Sequence, residues 1–382
     1  MAFHKRRLGR IRSLIIGIFA AGCLSCGVQS PVSGAPALDA GSAGGIDESP
    51  LSAVPPEQSP ISVAPNPAPT STLISSIDRL IGFTSNRIFS IPVGGTSLQT
   101  DSTLAQVNGL FLANNGAYYK GSSIQATNGK FYGLTTFGGT SGNGVLFEYA
   151  SETNSYQVRY EFNSTVEDGT NPYGSLVQAS NGKLYGVTYT GGHQGRGVLF
   201  SYDLTTAIYT IEWIFNDPTG AHPHGSLIQG ADGMLYGLTY LGGKNGQGVL
   251  FQFDPSTSAY TDKYDFDGTN GASPRGSLIL GADGNFYGLT TVGGANNLGV
   301  LFQYNSAASI YQNKHDFDGT HGANPQDSLF LASDGNFYGL TAAGGTHNSG
   351  VLFQFNLASF QVMYVFTDEV PQGSLIEIAA GH

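Results

Sequence analysis

Cysteine is almost missing from this chain of 382 residues: there are two, Cys23 and Cys26, at the end of an N-terminal apolar run. Beyond Cys26 the chain can form no disulfide, supply no thiolate nucleophile and ligate no metal through sulfur. Charge is also scarce, at 11% of residues. Long apolar runs are absent too, since the stretch from Leu14 to Ala21 is too short to cross a bilayer as a helix. No segment longer than a few residues carries a 3.6-residue apolar period with helix caps, which excludes a helical body. What fills the space is glycine, 55 residues of it, with Ser, Thr, Asn and Gln: the composition of many tight turns and an uncharged polar surface.

The formal charge of −11 understates the acidity of the body. Lys5, Arg6, Arg7, Arg10 and Arg12 precede the apolar run, and without those five, 11 basic residues face 27 acidic ones, a charge of −16. Such a surface repels nucleic acid and anionic lipid headgroups, so neither is expected as a partner. Residues 1–22, basic and then apolar, have the pattern of a signal peptide. The run ends in Ala20-Ala21-Gly22-Cys23, which resembles the lipobox of bacterial lipoproteins. The resemblance puts a lipid on Cys23, with Cys26 as the alternative, and makes this anchor the only membrane contact; a plain cleaved secretory signal is the other reading. Residues 27 to about 71 are rich in Ser, Pro, Ala and Gly and contain no aromatic residue, so they cannot bury enough apolar surface to offset ordering. They read as a disordered linker, making 23–71 a tether for a folded body over 72–382.

That body repeats itself. GSL, DG, YGLT, GG and GVLF, or close variants of them, recur in this order from Gly121, Gly174, Gly225, Gly276 and Asp327, and a truncated copy starts at Gly373. Residues 72–120 hold a worn first copy, as terminal repeats do. A period near 50 residues indicates stacked or radially arranged supersecondary units. In the copy beginning at Gly225, four strands are expected, lettered A to D: Ser226 to Gly230, Met234 to Tyr240, Gly248 to Phe253 and Tyr260 to Phe266. Asp232-Gly233 between A and B predicts a hairpin with a type I′ turn. The fold class is therefore all-β. The tyrosines Tyr132, Tyr185, Tyr236, Tyr287 and Tyr338, one per unit in mid-strand, are expected to pack unit against unit, and the glycine after each is expected to relieve crowding near a narrow axis.

Each glycine pair, Gly242-Gly243 for example, is followed by two aromatics, with six residues between them in the first four copies, as in Tyr202 and Tyr209 or Phe253 and Tyr260, and fewer between Phe355 and Phe360 in the last. This resembles the kelch repeat of β-propellers, with Tyr where kelch usually has Trp. The whole unit resembles more closely the bacterial tandem repeat named GloVer, found in secreted proteins with varied anchors. The resemblance implies a β-propeller of four-stranded kelch-like blades. Counting units gives six blades, with Gly373 to Ile378 closing the ring; seven is the alternative.

Comparison of the copies separates scaffold from variation. Loops between B and C contribute His193, Arg196, Lys244, Asn245, Asn296 and His347, and connections from D to the next A contribute His222, His224, Arg275 and His321. These ten are the ligand-binding candidates, because loops on a rigid scaffold carry recognition. No catalytic residue is expected: GxSxG, HExxH and close carboxylate pairs outside turns are missing. Asp265-Phe266-Asp267-Gly268-Thr269 resembles a fragment of a calcium loop but lacks the later ligands and reads as turn chemistry. His222 and His224 have no carboxylate pattern beside them, so no metal or other cofactor is expected. The function expected is that of a monomeric, envelope-anchored, non-enzymatic module binding a glycan or protein at the cell surface. A carbohydrate-active enzyme of sugar isomerase or lyase type and a structural surface protein are the alternatives.

Overall fold

The computed structural model describes residues 121–367 except 164 and 166, together with 116, 370, 371, 375 and the backbone of 79–84 and 87–92. The signal segment, both cysteines, the linker and all of the closing strand but Leu375 lie outside the described residues. Each of the five clear copies forms an antiparallel sheet with strands in the order A-B-C-D, and in the third Ala221–Pro223 adds a fifth strand against B. In the third copy the strands are Ile228–Gln229, Leu235–Leu241, Val249–Asp254 and Ala259–Asp265. In the worn first copy, Arg79–Thr84 pairs with Arg87–Pro92 as a hairpin without the glycine loop.

Strand A is shorter than the sequence indicates, because the residues before Ile228 turn toward the neighbouring unit. A β-carbon on Gly225 would lie 2.5 Å from the carbonyl oxygen of Gly276, and Gly121, Gly174 and Gly276 approach the next copy's backbone equally closely. The serine that follows continues the row. Ser122 N, Ser175 N, Ser226 N and Ser277 N donate to the hydroxyls of Ser175, Ser226, Ser277 and Ser328 at 2.7–2.8 Å. The Leu after it is buried in the core, as at Leu227 and Leu278. GSL is thus a seam between units, with glycine for approach, serine to satisfy the exposed N–H and leucine for burial.

The type I′ turn is not what forms between A and B. Gly233 has φ +79°, but Asp232 does not enter the left-handed region. Gly233 N donates to Gly230 O and Gly230 N to Met234 O, the pattern of a three-residue loop closed by a left-handed glycine. Asp is selected there for its acceptors: Oδ1 takes Met234 N at 3.1 Å and Oδ2 takes Tyr236 OH at 2.7 Å. The crowding at Gly237 likewise has a local cause. It lies opposite Phe251 of strand C, whose ring occupies the space a β-carbon would take.

The core lies between sheets. Each of four hydrophobic clusters mixes residues of two successive units; one joins Tyr236 and Leu250 to Phe286, Phe302 and Tyr304. Tyr236 and Tyr287 bear out the expected unit-to-unit packing, with ring centroids 4.7 Å from Phe286 and 4.6 Å from Phe337. Full burial of such a side chain is worth about 1.5–3 kcal/mol, so the array is held mainly by these interfaces. The spaced aromatics behave consistently as well: Tyr202 and Tyr209, and Phe253 and Tyr260, are direct cross-strand partners on C and D.

Candidate functional site

The B to C loops and D to A connections meet on one face. His222 N donates to Arg196 O, Ser273 N to Gln247 O and Asn324 N to Leu298 O, so each connection is laced to the preceding loop. At the start of these connections, Asp267 and Asp318 serve their own turns. Asp267 Oδ1 accepts Asn270 N at 2.7 Å, and Asp318 accepts both His321 N and its ring. His321 therefore does the turn work of Asn270.

Three more candidates are committed within or beside their loops. Asn245 Nδ2 donates to Phe266 O and Asn296 Nδ2 to Phe317 O, the same brace in successive units. His347 is exposed, with Nδ1 3.0 Å from Thr346 Oγ1. His193 is exposed too, 3.7 Å from Glu167. Lys244 and Asn245 border an open groove of about 500 Å³ over strand D with Asp262, Lys263, Asp265 and Asp267. Burial, reinforced by Asp265, raises the carboxyl of Asp262 above its ordinary range.

The remaining four converge. Arg196 pairs with Asp217 at 2.7 Å, and its Nη1 lies 3.2 Å from His222 Nε2. A guanidinium can only donate, so Nε2 accepts and the ring carries its proton on Nδ1, which donates to Tyr189 O at 3.0 Å. His222 has φ +56°, the conformation of Asn171, Ser273 and Asn324 in the other connections. Asn171 Nδ2 and Asn324 Nδ2 make the equivalent bond, to Thr136 O and Thr291 O. His222 is thus an Asn substitute in the scaffold as well as a wall of the patch.

His224 and Arg275 occupy the position just before the seam glycine. His224 Nδ1 donates to Arg275 O at 3.0 Å, and its ring stacks on Tyr173 with centroids 4.9 Å apart. Tyr189 sits against Tyr173, His222 and His224 at 5.1, 4.8 and 5.9 Å. The guanidinium of Arg275 lies 4.8 Å over the ring of Tyr240 and donates to its hydroxyl at 3.2 Å. Burial raises the Tyr173 phenol above its usual range, so it stays neutral. All six of these rings and guanidiniums are half-buried, which leaves a basic and aromatic patch open to solvent.

Sequence reading found the basic members and missed Tyr173, Tyr189 and Tyr240. A signal was available. The position before the seam reads Lys120, Tyr173, His224, Arg275, Gln326, and the position after YGLT or its variant reads Thr136, Tyr189, Tyr240, Thr291, Ala342. Aromatic residues appear in both series only where the second and third units meet.

The opposite face carries a smaller groove, of about 300 Å³, beside Glu148. This buried carboxylate receives Lys130 Nζ at 2.7 Å, Tyr132 OH at 2.7 Å and Arg159 Nε at 2.9 Å. Burial alone would raise it, but these donors outweigh burial and lower it to about 2. With every oxygen committed to neighbours, it is a structural brace.

Among the described residues, no helix is long and apolar enough to cross a membrane. No curated protein matches the chain. Among solved structures, the extracellular domain of a hybrid two component system from B. thetaiotaomicron is similar, with a TM-score of 0.50 and 14% identity. The match covers 71% of this chain and 31% of that one, so this chain spans about a third of its neighbour's length. TolB from Acinetobacter baumannii matches with 12% identity over 75% of this chain and 67% of its own, with a TM-score of 0.40. The first likeness bears on the all-β fold alone and shows nothing of activity. The model of the Gloeobacter/Verrucomicrobia repeat matches residues 68–261 and 177–381, and the chain belongs to that repeat family.

Proposed function

We propose that this chain is an exported, envelope-anchored β-propeller that acts as a binding module, holding a glycan or protein partner on the face built by the B to C loops and D to A connections. One observation carries the reading: the residues that break the repeat, Tyr173, Tyr189, His224, Tyr240 and Arg275, lie together and half-exposed on that face. Turn and packing needs account for the positions that repeat, so a cluster of exceptions is where recognition belongs. Six blades fit the unit count, with 72–120 as the first blade and 373–378 returning to it. In favour of a first blade, Gly116 has φ +106° and lies against Thr135 as Gly220, Gly271 and Gly322 lie against Thr239, Thr290 and Thr341 in later units.

The test is a glycan array and a pull-down from envelope extract with the detergent-extracted full chain. Retention of a partner that is lost on changing His224 and Arg275 to Ala supports the reading. Silence in both assays, or capture indifferent to those changes, sinks it. For the anchor, Cys23→Ala should abolish lipid labelling in the producing cell; labelling that persists moves the lipid to Cys26.

A further inference from the structure

We infer that the patch of Tyr173, Tyr189, His224, Tyr240 and Arg275 is a receptor for a carboxylate-bearing sugar, the uronate type of residue found in acidic glycans. This rests on the binding role proposed above and names its ligand class.

Arg275 supplies the first argument. Among the arginines whose side chains are described, Arg159 is held by Glu148 at 2.8 Å and Arg196 by Asp217 at 2.7 Å. Arg275 has no carboxylate within 4 Å among the described residues, although acidic residues outnumber basic ones 27 to 16. It is braced on Tyr240 instead, by cation–π contact and one hydrogen bond. A guanidinium held in a fixed plane presents a fork that matches a carboxylate, with less side-chain freedom left to lose on binding.

The rings supply the second. Tyr173, Tyr189 and Tyr240 are amphipathic, each with an apolar face and a polar tip; Tyr173 and Tyr189 pack on each other and Tyr240 on Arg275, across successive units of an otherwise regular array. A pyranose has the complementary make-up, with C–H groups on its faces and hydroxyls around its edge. An acidic peptide would satisfy Arg275 but would leave the grouped rings unexplained. Local charge agrees: Asp217, beside the patch through Arg196 and His222, is already paired with Arg196. In an acidic protein, a half-buried guanidinium with no carboxylate partner is a place that admits an anion.

The test is calorimetric titration of the full chain with a short galacturonate oligomer, its methyl ester, a neutral galactose oligomer and an oligoglutamate peptide. The acid form should bind about tenfold or more tighter than its ester, since the ester loses the charge-assisted pair. Arg275→Gln should erase that preference while Glu152→Gln, beside the groove on the opposite face, leaves it. If Arg275→Gln fails to fold, the salt dependence of the wild-type preference reads the same contact, and a preference unmoved by salt overturns the proposal. Equal binding of acid, ester and neutral sugar overturns it as well, while leaving a glycan-binding module intact. Tighter binding of the peptide reassigns the patch to acidic protein. No binding of any probe overturns the sugar assignment, and the binding role itself falls only if envelope extract is also silent.

Discussion

Trp213 and Tyr260 lie face to face, ring centroids 4.4 Å apart and 2° from parallel, although they belong to different sheets. The same stack joins Tyr160 to Tyr209, Tyr264 to Tyr311 and His315 to Phe360. The second spaced aromatic of one unit therefore covers strand D of the unit before it. In the fifth unit the matching residue is Tyr364, which is 53% exposed. Tyr260 adds a polar tie, donating to Thr219 O at 2.6 Å.

Removing that residue should open an interface. Tyr260→Ala is expected to cost about 3–5 kcal/mol by cavity formation and lost stacking. Tyr260→Phe should cost about 1 kcal/mol, the hydrogen bond alone. Urea unfolding of both variants checks this, and equal losses would show that the ring contributes little.

The seam glycine is a steric requirement and the turn glycine a conformational one. Gly225→Ala should cost about 1–3 kcal/mol through overpacking against Gly276. At Gly233 a β-carbon meets nothing within 4 Å, so Gly233→Ala should cost about 1–2 kcal/mol from the left-handed backbone alone. The two separate on suppression: relieving the neighbour's backbone contact cannot help Gly233→Ala. A neutral Gly225→Ala in thermal unfolding would refute the close approach.

Acid should weaken the fold through Glu148. Its folded value, about 2, lies below the ordinary carboxylate value near 4.3, so its contribution is fully present above about pH 4.5 and is lost as pH falls toward 2. Tyr132 acts at the other end. Burial first, with Glu148 beside it, raises its phenol to about 12, so its contribution is present below pH 10 and lost as pH rises through 12. Glu148→Gln should flatten the acid limb of stability against pH; an unchanged limb would assign acid sensitivity elsewhere.

His222 should tolerate asparagine. Asn171 and Asn324 hold the same left-handed backbone and make the same bond to the carbonyl just past strand B of their own unit, so His222→Asn should leave stability within about 0.5 kcal/mol. His222→Val, β-branched at φ +56°, should cost about 2 kcal/mol. Loss of partner capture by His222→Asn with unchanged melting would show the imidazole touching the ligand.

Much of this architecture is legible in the chain because it is said five times. Asp-Gly turns, glycine pairs and spaced aromatics are local devices, and local chemistry fixes strand order and the sheet unit. The turn type was misread because Asp232 is chosen for acceptors reaching Met234 and Tyr236, not for its own φ. The role of GSL was invisible for another reason: its partners lie 51 or 53 residues away, in the next copy.

The site divides the same way. Sequence alone determined which loops and connections vary, since variation against a repeat is read by comparing copies. Only tertiary structure decided which variable residues act together. It committed Asn245, Asn296 and His321 to backbone groups and turn carboxylates in their own units, and gathered His224 and Arg275 with three tyrosines from neighbouring units. A repeat fixes each unit internally, whereas the patch of variable residues forms across units, where residues far apart in sequence are brought within contact by packing.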